Sequence, residues 1–303
     1  MLGMDRRSFL QFGRSGVLPE TPWDLFCHRL QRTVRGDFKR LDGLNEAYHA
    51  AQICIYRLAD IQHIYALCRE YEVAMVLDGF ASPQTVHTRD LLMVQFSPSL
   101  NIIEELGEQA CLAQPSVTAG QLLALGYYQF SRVPAEMTIA QWFASPLYHD
   151  CRPYFSFLSG VERINAIFAD GSQAVVGGFG VDDRSVLSVP ILSRCIPNLF
   201  ELLREDSVEI QLASDYWPYS YRLDSLKKNL VDINIARFFQ GHQGRIIWVQ
   251  QWVIRKIPQD VLLLKAQLPE EECADSESIA RINDRIKGLF DPTGIFLYDE
   301  VIG

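Results

Sequence analysis

Ile53-Cys54-Ile55-Tyr56-Arg57, Asp60-Ile61-Gln62-His63-Ile64-Tyr65-Ala66-Leu67-Cys68 and Val73-Ala74-Met75-Val76-Leu77 follow one another and stop at Asp78-Gly79. The first and third runs are short and apolar. The middle one carries its apolar residues at helical spacing. Period and punctuation therefore predict strand, helix, strand and a glycine turn, a βαβ unit whose crossover should be right-handed. The turn leaving the carboxyl end of such a strand is where α/β proteins commonly hold a ligand.

Working outward, Asp90-Leu91-Leu92-Met93-Val94-Gln95-Phe96 reads as a further strand, followed by Leu100-Asn101-Ile102-Ile103-Glu104. Ala110 to Leu122, through Pro115-Ser116-Val117-Thr118, leads from a strand into a short helix. Glu162 to Ser172 reads as strand, turn, strand, and Arg285-Ile286-Lys287-Gly288-Leu289-Phe290-Asp291-Pro292-Thr293-Gly294-Ile295-Phe296 closes the chain as helix and turn. In this order the segments resemble the FAD-linked oxidases of the vanillyl-alcohol-oxidase or PCMH type, over about half of the chain. The small FAD-domain subunit of bacterial glycolate oxidase is similar in the same way. The resemblance implies an α+β fold: a PCMH-type two-part FAD-binding domain with a small α/β cap domain. The expected division is 1–44 as an N-terminal helical segment, 45–180 as the FAD-binding-type domain and 181–272 as the cap. Residues 273–303 would be a helix and tail returning to the FAD-type domain.

The same resemblance points to two loops as the cofactor site. In the family a glycine-rich turn offers backbone N–H groups to the FAD pyrophosphate, and glycine permits the close approach. Here that turn is Asp78-Gly79-Phe80-Ala81-Ser82-Pro83. Gly79 and Ser82 keep the pattern, Phe80 adds bulk, Pro83 removes a donor and Asp78 adds negative charge. The family's second loop, Thr-Ile/Val-Gly-Gly, is Thr138-Ile139-Ala140-Gln141 in this chain. The adenine-side strand, Ile164 to Asp170, is the best kept, with contact expected through the Ile167 backbone. The cofactor-binding candidates are thus Gly79, Phe80, Ala81, Ser82, Thr138, Ile139, Ala140 and Ile167.

Two functional readings stay open. One is an FAD-binding oxidoreductase acting on a small organic substrate, by analogy a 2-hydroxy acid. The other is an accessory subunit of a flavoprotein oxidase complex, working with flavoprotein or iron–sulfur partners, that has lost FAD and catalysis. The changed turns favour the second, and the lost Asn-Pro-Gly of the family's closing motif, here Leu297-Tyr298-Asp299, adds to them. Gly177-Gly178-Phe179-Gly180 reads as a hairpin or domain-exit turn, with a substitute phosphate loop as the sharper alternative.

No catalytic base is named by the sequence. His242 lies between Gly241 and Gly244 and is either a loop histidine or a general base. Tyr216, Trp217, Tyr219 and Tyr221 crowd around Pro218, either as core packing or as a stacking surface. His28, His49 and His149 lack a paired ligand at metal spacing, and His87 follows the first loop. Val208-Glu209-Ile210-Gln211-Leu212 alternates like a strand, Val261-Leu262-Leu263-Leu264-Lys265 looks like another, and Gly244 to Arg255 is the strongest strand signal of the second half.

Composition excludes whole classes of partner. The 303 residues carry a net charge of -9, against a phosphate-backbone binder. The seven cysteines are scattered without a CxxC pair, so free thiols are expected rather than disulfides, zinc or an iron–sulfur cluster. Asp5-Arg6-Arg7-Ser8-Phe9-Leu10-Gln11 imitates a twin-arginine signal without the apolar segment that export needs. The expected location is the cytoplasm, or the inner membrane surface through partners.

Overall fold

The computed structural model describes residues 21–41, 48–81, 89–180, 185–229, 231–263 and 276–297. The decisive stretch builds the first of two sheets. Strand β1 (Gly36–Arg40) pairs antiparallel with β2 (Ala50–Ile55). Strands β3 (Ala74–Leu77) and β4 (Leu91–Phe96) complete the order β1-β2-β4-β3, with β4 parallel to both β2 and β3. The βαβ unit read from the sequence is therefore split, because β4 inserts between its two strands. Their near-continuous apolar composition is what burial on both faces demands.

Helix α1 (Pro22–Thr33) begins where Thr21 Oγ1 accepts the N–H of Asp24 and Pro22 occupies the first turn. Its buried face, Trp23, Phe26, Cys27 and Leu30, lies toward α2 (Asp60–Glu70). There the Phe26 and Tyr71 rings stand 5.9 Å apart, and Arg29 bonds both Glu70 and Tyr71.

The second sheet is antiparallel throughout. It contains β5 (Ile103–Glu105), β6 (Ala110–Ala113), β7 (Val161–Phe168), β8 (Gln173–Val176) and β9 (Ile247–Arg255), in the order β5-β6-β9-β7-β8. Strand β9, from the second half of the chain, is the central strand of this sheet. Between β6 and β8 lie helices α3 (Ala119–Ala124) and α4 (Ile139–Ala144). Gly177 packs where a Cβ would meet Arg163 Cγ at 2.7 Å and Glu162 O at 2.8 Å, so this glycine serves a close backbone passage beside β7. The expected boundary at 181–184 lies outside the described residues.

Helices α5 (Pro190–Leu202), α6 (Asp206–Leu212), α7 (Ile235–Phe238), α8 (Gln259–Leu263) and α9 (Ser276–Phe290) cover the rest. Two of them replace expected strands. Val208 and Leu212 are one helical turn apart and buried, while Ile210 is 64% exposed. Their alternation was a helix face sampled too briefly to reveal its period. Likewise Val261 to Leu263 continue a helical turn opened by the Leu262 N–H on Pro258 O.

The C-terminal motif closes the first sheet. After α9, the Asp291 carboxylate accepts the N–H groups of Ile295 and Phe296, and Lys287 Nζ donates to Asp291, Arg245 O and Phe296 O. Gly294 takes a left-handed φ of +66 to complete the turn. Phe296 then forms a parallel bridge to Met75, extending the sheet beyond β3.

Candidate functional site

The structure brings the two expected cofactor loops side by side. Gly79 sits at φ +91, and a Cβ placed on it would lie 3.9 Å from Gln141 Nε2. Five backbone donors there are engaged. Phe80 N–H donates to Leu77 O at 3.1 Å, Ile139 N–H to Val117 O at 2.7 Å and Ala140 N–H to Pro115 O at 3.2 Å. Thr138 and Gln141 form a reciprocal capping box that uses the Thr138 and Gln141 N–H groups. Removing the hydroxyl as Thr138→Ala should cost about 1 kcal/mol of stability, read as a small fall in melting temperature. Ile167 lies inside the second sheet, in register with Gln173 on one side and Trp248 on the other. Ala81 is half-buried and packs with Phe80 against the cluster of Tyr48, Ala50, Ala74, Val76, Leu91 and Met93, and Ser82 lies outside the described residues, as does His87.

The space between these loops is filled by β9. Leu77 and Phe96 from the first sheet meet Ile247, Trp248, Val249 and Trp252 from the second, with Ala140, His242 and Gly244 closing the sides. The Phe96 and Trp248 rings are 5.4 Å apart, and Trp248 and Trp252 are 3% and 1% exposed. The cavity left among them measures about 10 Å³. That is room for one water, where a cofactor pocket runs to roughly 300–1,000 Å³. The indole N–H groups of Trp248 and Trp252 have no acceptor among the described residues, and a single water is the partner that this space admits. A flavin does not fit in this space as it stands, and the Phe80, Ile139 and Ala140 amides beside it bond protein carbonyls.

His242 belongs to this packed interior rather than to a catalytic surface. It is buried, packs 5.7 Å from the Phe143 ring, and its Nδ1 accepts the Gly244 N–H at 3.0 Å. Burial, with a smaller contribution from nearby His149, lowers its pKa to about 3, so the ring is neutral and fixed as the Nε2–H tautomer. It corrects the general-base alternative, since a base needs contact with the proton it takes. His49 stacks on Trp23 at 5.5 Å, and His63 and His28 are exposed.

A second cavity measures about 270 Å³. Its walls include Trp217, Pro218 and Tyr219 from the aromatic cluster that the sequence singled out, with Pro146 opposite. Its polar lining comes from His149, Asp150, Cys151, Arg222, Gln240 and Gln243. Arg222 donates to both oxygens of Asp224 and to the carbonyls of Asp150 and Arg152. Asp150 in turn pairs with Arg152 at 2.9 Å. The backbone around the cavity is unusual. Tyr148, Tyr154 and Gln243 hold positive φ values of 66, 69 and 51, a conformation that side chains with a Cβ adopt only when the surroundings enforce it. The sequence signalled the aromatic wall of this cavity but not the polar one. His149 and Asp150 sit ninety residues before Gln240 and Gln243, and no motif joins the two pairs.

Among the described residues no three His, Cys, Asp or Glu side chains converge to hold a metal ion, and no helix is long and apolar enough to cross a membrane. Six described cysteines are free thiols, and Cys273 lies outside the described residues.

No family model matches the chain, and no curated protein sequence matches it. Among solved structures it is similar to p-cresol methylhydroxylase with substrate bound, at 12% identity, covering 80% of this chain and 45% of that one, with a TM-score of 0.43. It is similar to the 4-ethylphenol oxidase of Gulosibacter chungangensis in an isoeugenol complex, at 12% identity, 80% and 44% coverage and a TM-score of 0.46. It is also similar to a BBE-like 1 variant of Physcomitrella patens, at 11% identity, 76% and 44% coverage and a TM-score of 0.41. The chain spans less than half the length of each. Likenesses at this level are too loose to define the chemistry by themselves. The α+β class rests on the two sheets and their covering helices.

Proposed function

We propose that this chain is a flavin-free relative of the FAD-linked oxidases, acting as an accessory subunit that holds or stabilises a flavoprotein or iron–sulfur partner. The observation that carries this reading is the plug of Phe96, Trp248 and Trp252 between the two sheets, which leaves about 10 Å³ where the two candidate loops meet. The engaged Ile139 and Ala140 amides support it from the other side.

The test is the visible spectrum of purified protein, followed by melting with and without added FAD. A colourless protein with an unchanged melting temperature is expected. A cofactor at a hundred times its Kd would stabilise by about 2.7 kcal/mol. Flavin colour or such a shift would overturn the accessory reading.

One observation favours a second reading, an FAD-binding oxidoreductase acting on a small organic substrate such as a 2-hydroxy acid. Gly79 keeps a left-handed φ of +91, the conformation that a phosphate-cradling turn requires and that glycine alone adopts without strain. On that reading the isoalloxazine ring supplies the redox chemistry, and β9 has to move. FAD binding by the parent chain would favour this reading. In a parent that binds none, Trp248→Gly shows why: it gains FAD binding if only the indole excludes the cofactor, and none if the amides are also spent.

A further inference from the structure

We infer that the cavity between Tyr154, Lys227 and Arg237 is a binding site for a phosphate group, free or carried as a monoester. The inference stands apart from the flavin question, because none of the residues that line the crevice between the two sheets lines this cavity.

Three observations converge on it. The first is a guanidinium with donors to spare. Arg237, in the short helix α7, is 7% exposed and lines the cavity. Its Nε donates to Val161 O at 2.9 Å and its Nη2 to Glu162 Oε1 at 3.1 Å. Nη1 has no acceptor among the described residues. It is not one of the enclosed orphan atoms of the interior, so it keeps accessible surface. Unmade bonds on a buried guanidinium are costly, and the oxygen of an anion relieves that cost.

The second is the balance of charge. Asp224 and Asp232 also line the cavity, but Asp224 is bound by Arg222 and Asp232 by Lys228. Arg237 and Arg255 share one carboxylate, Glu162, at 3.1 and 3.2 Å. Lys227 is exposed at the rim and pairs with no carboxylate among the described residues. These groupings leave two positive charges unmatched in a chain of net charge -9. A phosphate group carries about −1.5 to −2 at neutral pH and matches that surplus. A carboxylate would cover half of it, and a cation would add to it. Burial lowers the pKa of Arg237 against the pull of Glu162, and Arg255 adds to the lowering, the state of a guanidinium short of negative charge.

The third is size. The cavity measures about 10 Å³, room for a single oxygen atom. One phosphate oxygen enters to meet Nη1, and the others stand at the mouth, where Lys227 and Asn229 are exposed.

The experiment uses the full chain in a phosphate-free buffer of low ionic strength, with inorganic phosphate, phenyl phosphate and acetate as probes. Binding is read by isothermal titration calorimetry. Both phosphates are expected to bind roughly tenfold more tightly than acetate, with affinity falling as sodium chloride is added. Binding of phenyl phosphate alone would assign the site to a monoester, and binding of inorganic phosphate alone to the free ion; either supports the phosphate chemistry. Arg237→Gln should lower the affinity at least about tenfold. Because Arg237 also holds Val161 and Glu162, Lys227→Glu serves as the second variant. It lies on the exposed rim, so the protein should melt like the parent while binding phosphate about tenfold more weakly. Lys39→Glu, the same change of net charge on β1, should bind like the parent. Binding of neither phosphate, acetate bound as tightly as phosphate, an unchanged affinity in Lys227→Glu, or an equal loss in Lys39→Glu would each overturn the assignment.

Discussion

Asp291→Ala is expected to destabilise the chain by roughly 3–5 kcal/mol, the scale for breaking a buried ion pair from one side. Asp291 is 3% exposed, and its carboxylate takes four donors: Lys287 Nζ, Thr293 Oγ1 and the N–H groups of Ile295 and Phe296. Removing it strands Lys287, whose pKa burial already lowers and Asp291 partly restores. It also frees the strand that pairs with Met75 at the edge of the first sheet. Thermal unfolding should show a fall of around ten degrees, at about 2–4 °C per kcal/mol. Lys287→Met combined with Asp291→Leu should recover much of the loss, because two apolar side chains leave no uncompensated charge. A melting temperature equal to that of the parent in the Asp291→Ala protein would refute the account of this residue as the clamp of the C-terminal turn.

The second large effect is on acid stability. The pKa of His242 is ordinarily near 6.5 and stands at about 3 in the fold, mainly because burial disfavours the imidazolium and secondarily because His149 is near. Between those values the unfolded chain binds a proton that the native chain does not, so stability falls as the pH falls. The contribution is complete above about pH 6.5. It is lost progressively toward pH 3, by about 4–5 kcal/mol at 1.36 kcal/mol per unit. Carboxylates titrate in the same range, so the parent must be compared with His242→Asn, whose side-chain oxygen can still accept the Gly244 N–H. Unfolding free energies measured by denaturant from about pH 7 to about pH 4 should converge as the pH falls. A constant gap between the two proteins across that range would mean that His242 ionises freely in the native state.

These predictions fall on residues of different legibility. Asp291, Pro292 and Gly294 were visible in the sequence as a helix stop and turn, because the information is local: a missing N–H, a left-handed glycine, a carboxylate a few residues from the donors it serves. Thr21-Pro22 and the apolar stripe of α1 were legible for the same reason. So was the alternation of apolar strand and amphipathic helix from Ile53 to Leu77. The errors also have a local cause. Five residues at Val208 and a similar run at Val261 are too few to separate a period of two from one of 3.6, and tertiary packing decided in favour of helix.

The sequence by itself determined most of the elements, the α+β class, the N-terminal cap, the closing turn and the departure of both loops from a glycine-rich pattern. Only the tertiary structure decided that β4 splits the βαβ unit and that β9 enters the second sheet between β6 and β7. From that one long-range pairing follow the packing of Trp248 against Phe96, the neutral His242 and the small cavity between the two sheets. The aromatic cluster at 216–221 gained its meaning in the same way, once residues 146–151 and 240–243 were folded against it. Periodicity and turn chemistry act over a few residues and are written in the chain. Which strand fills the space beside which loop depends on contacts 79 to 145 residues apart, where the free energy of burying a tryptophan outweighs any local preference.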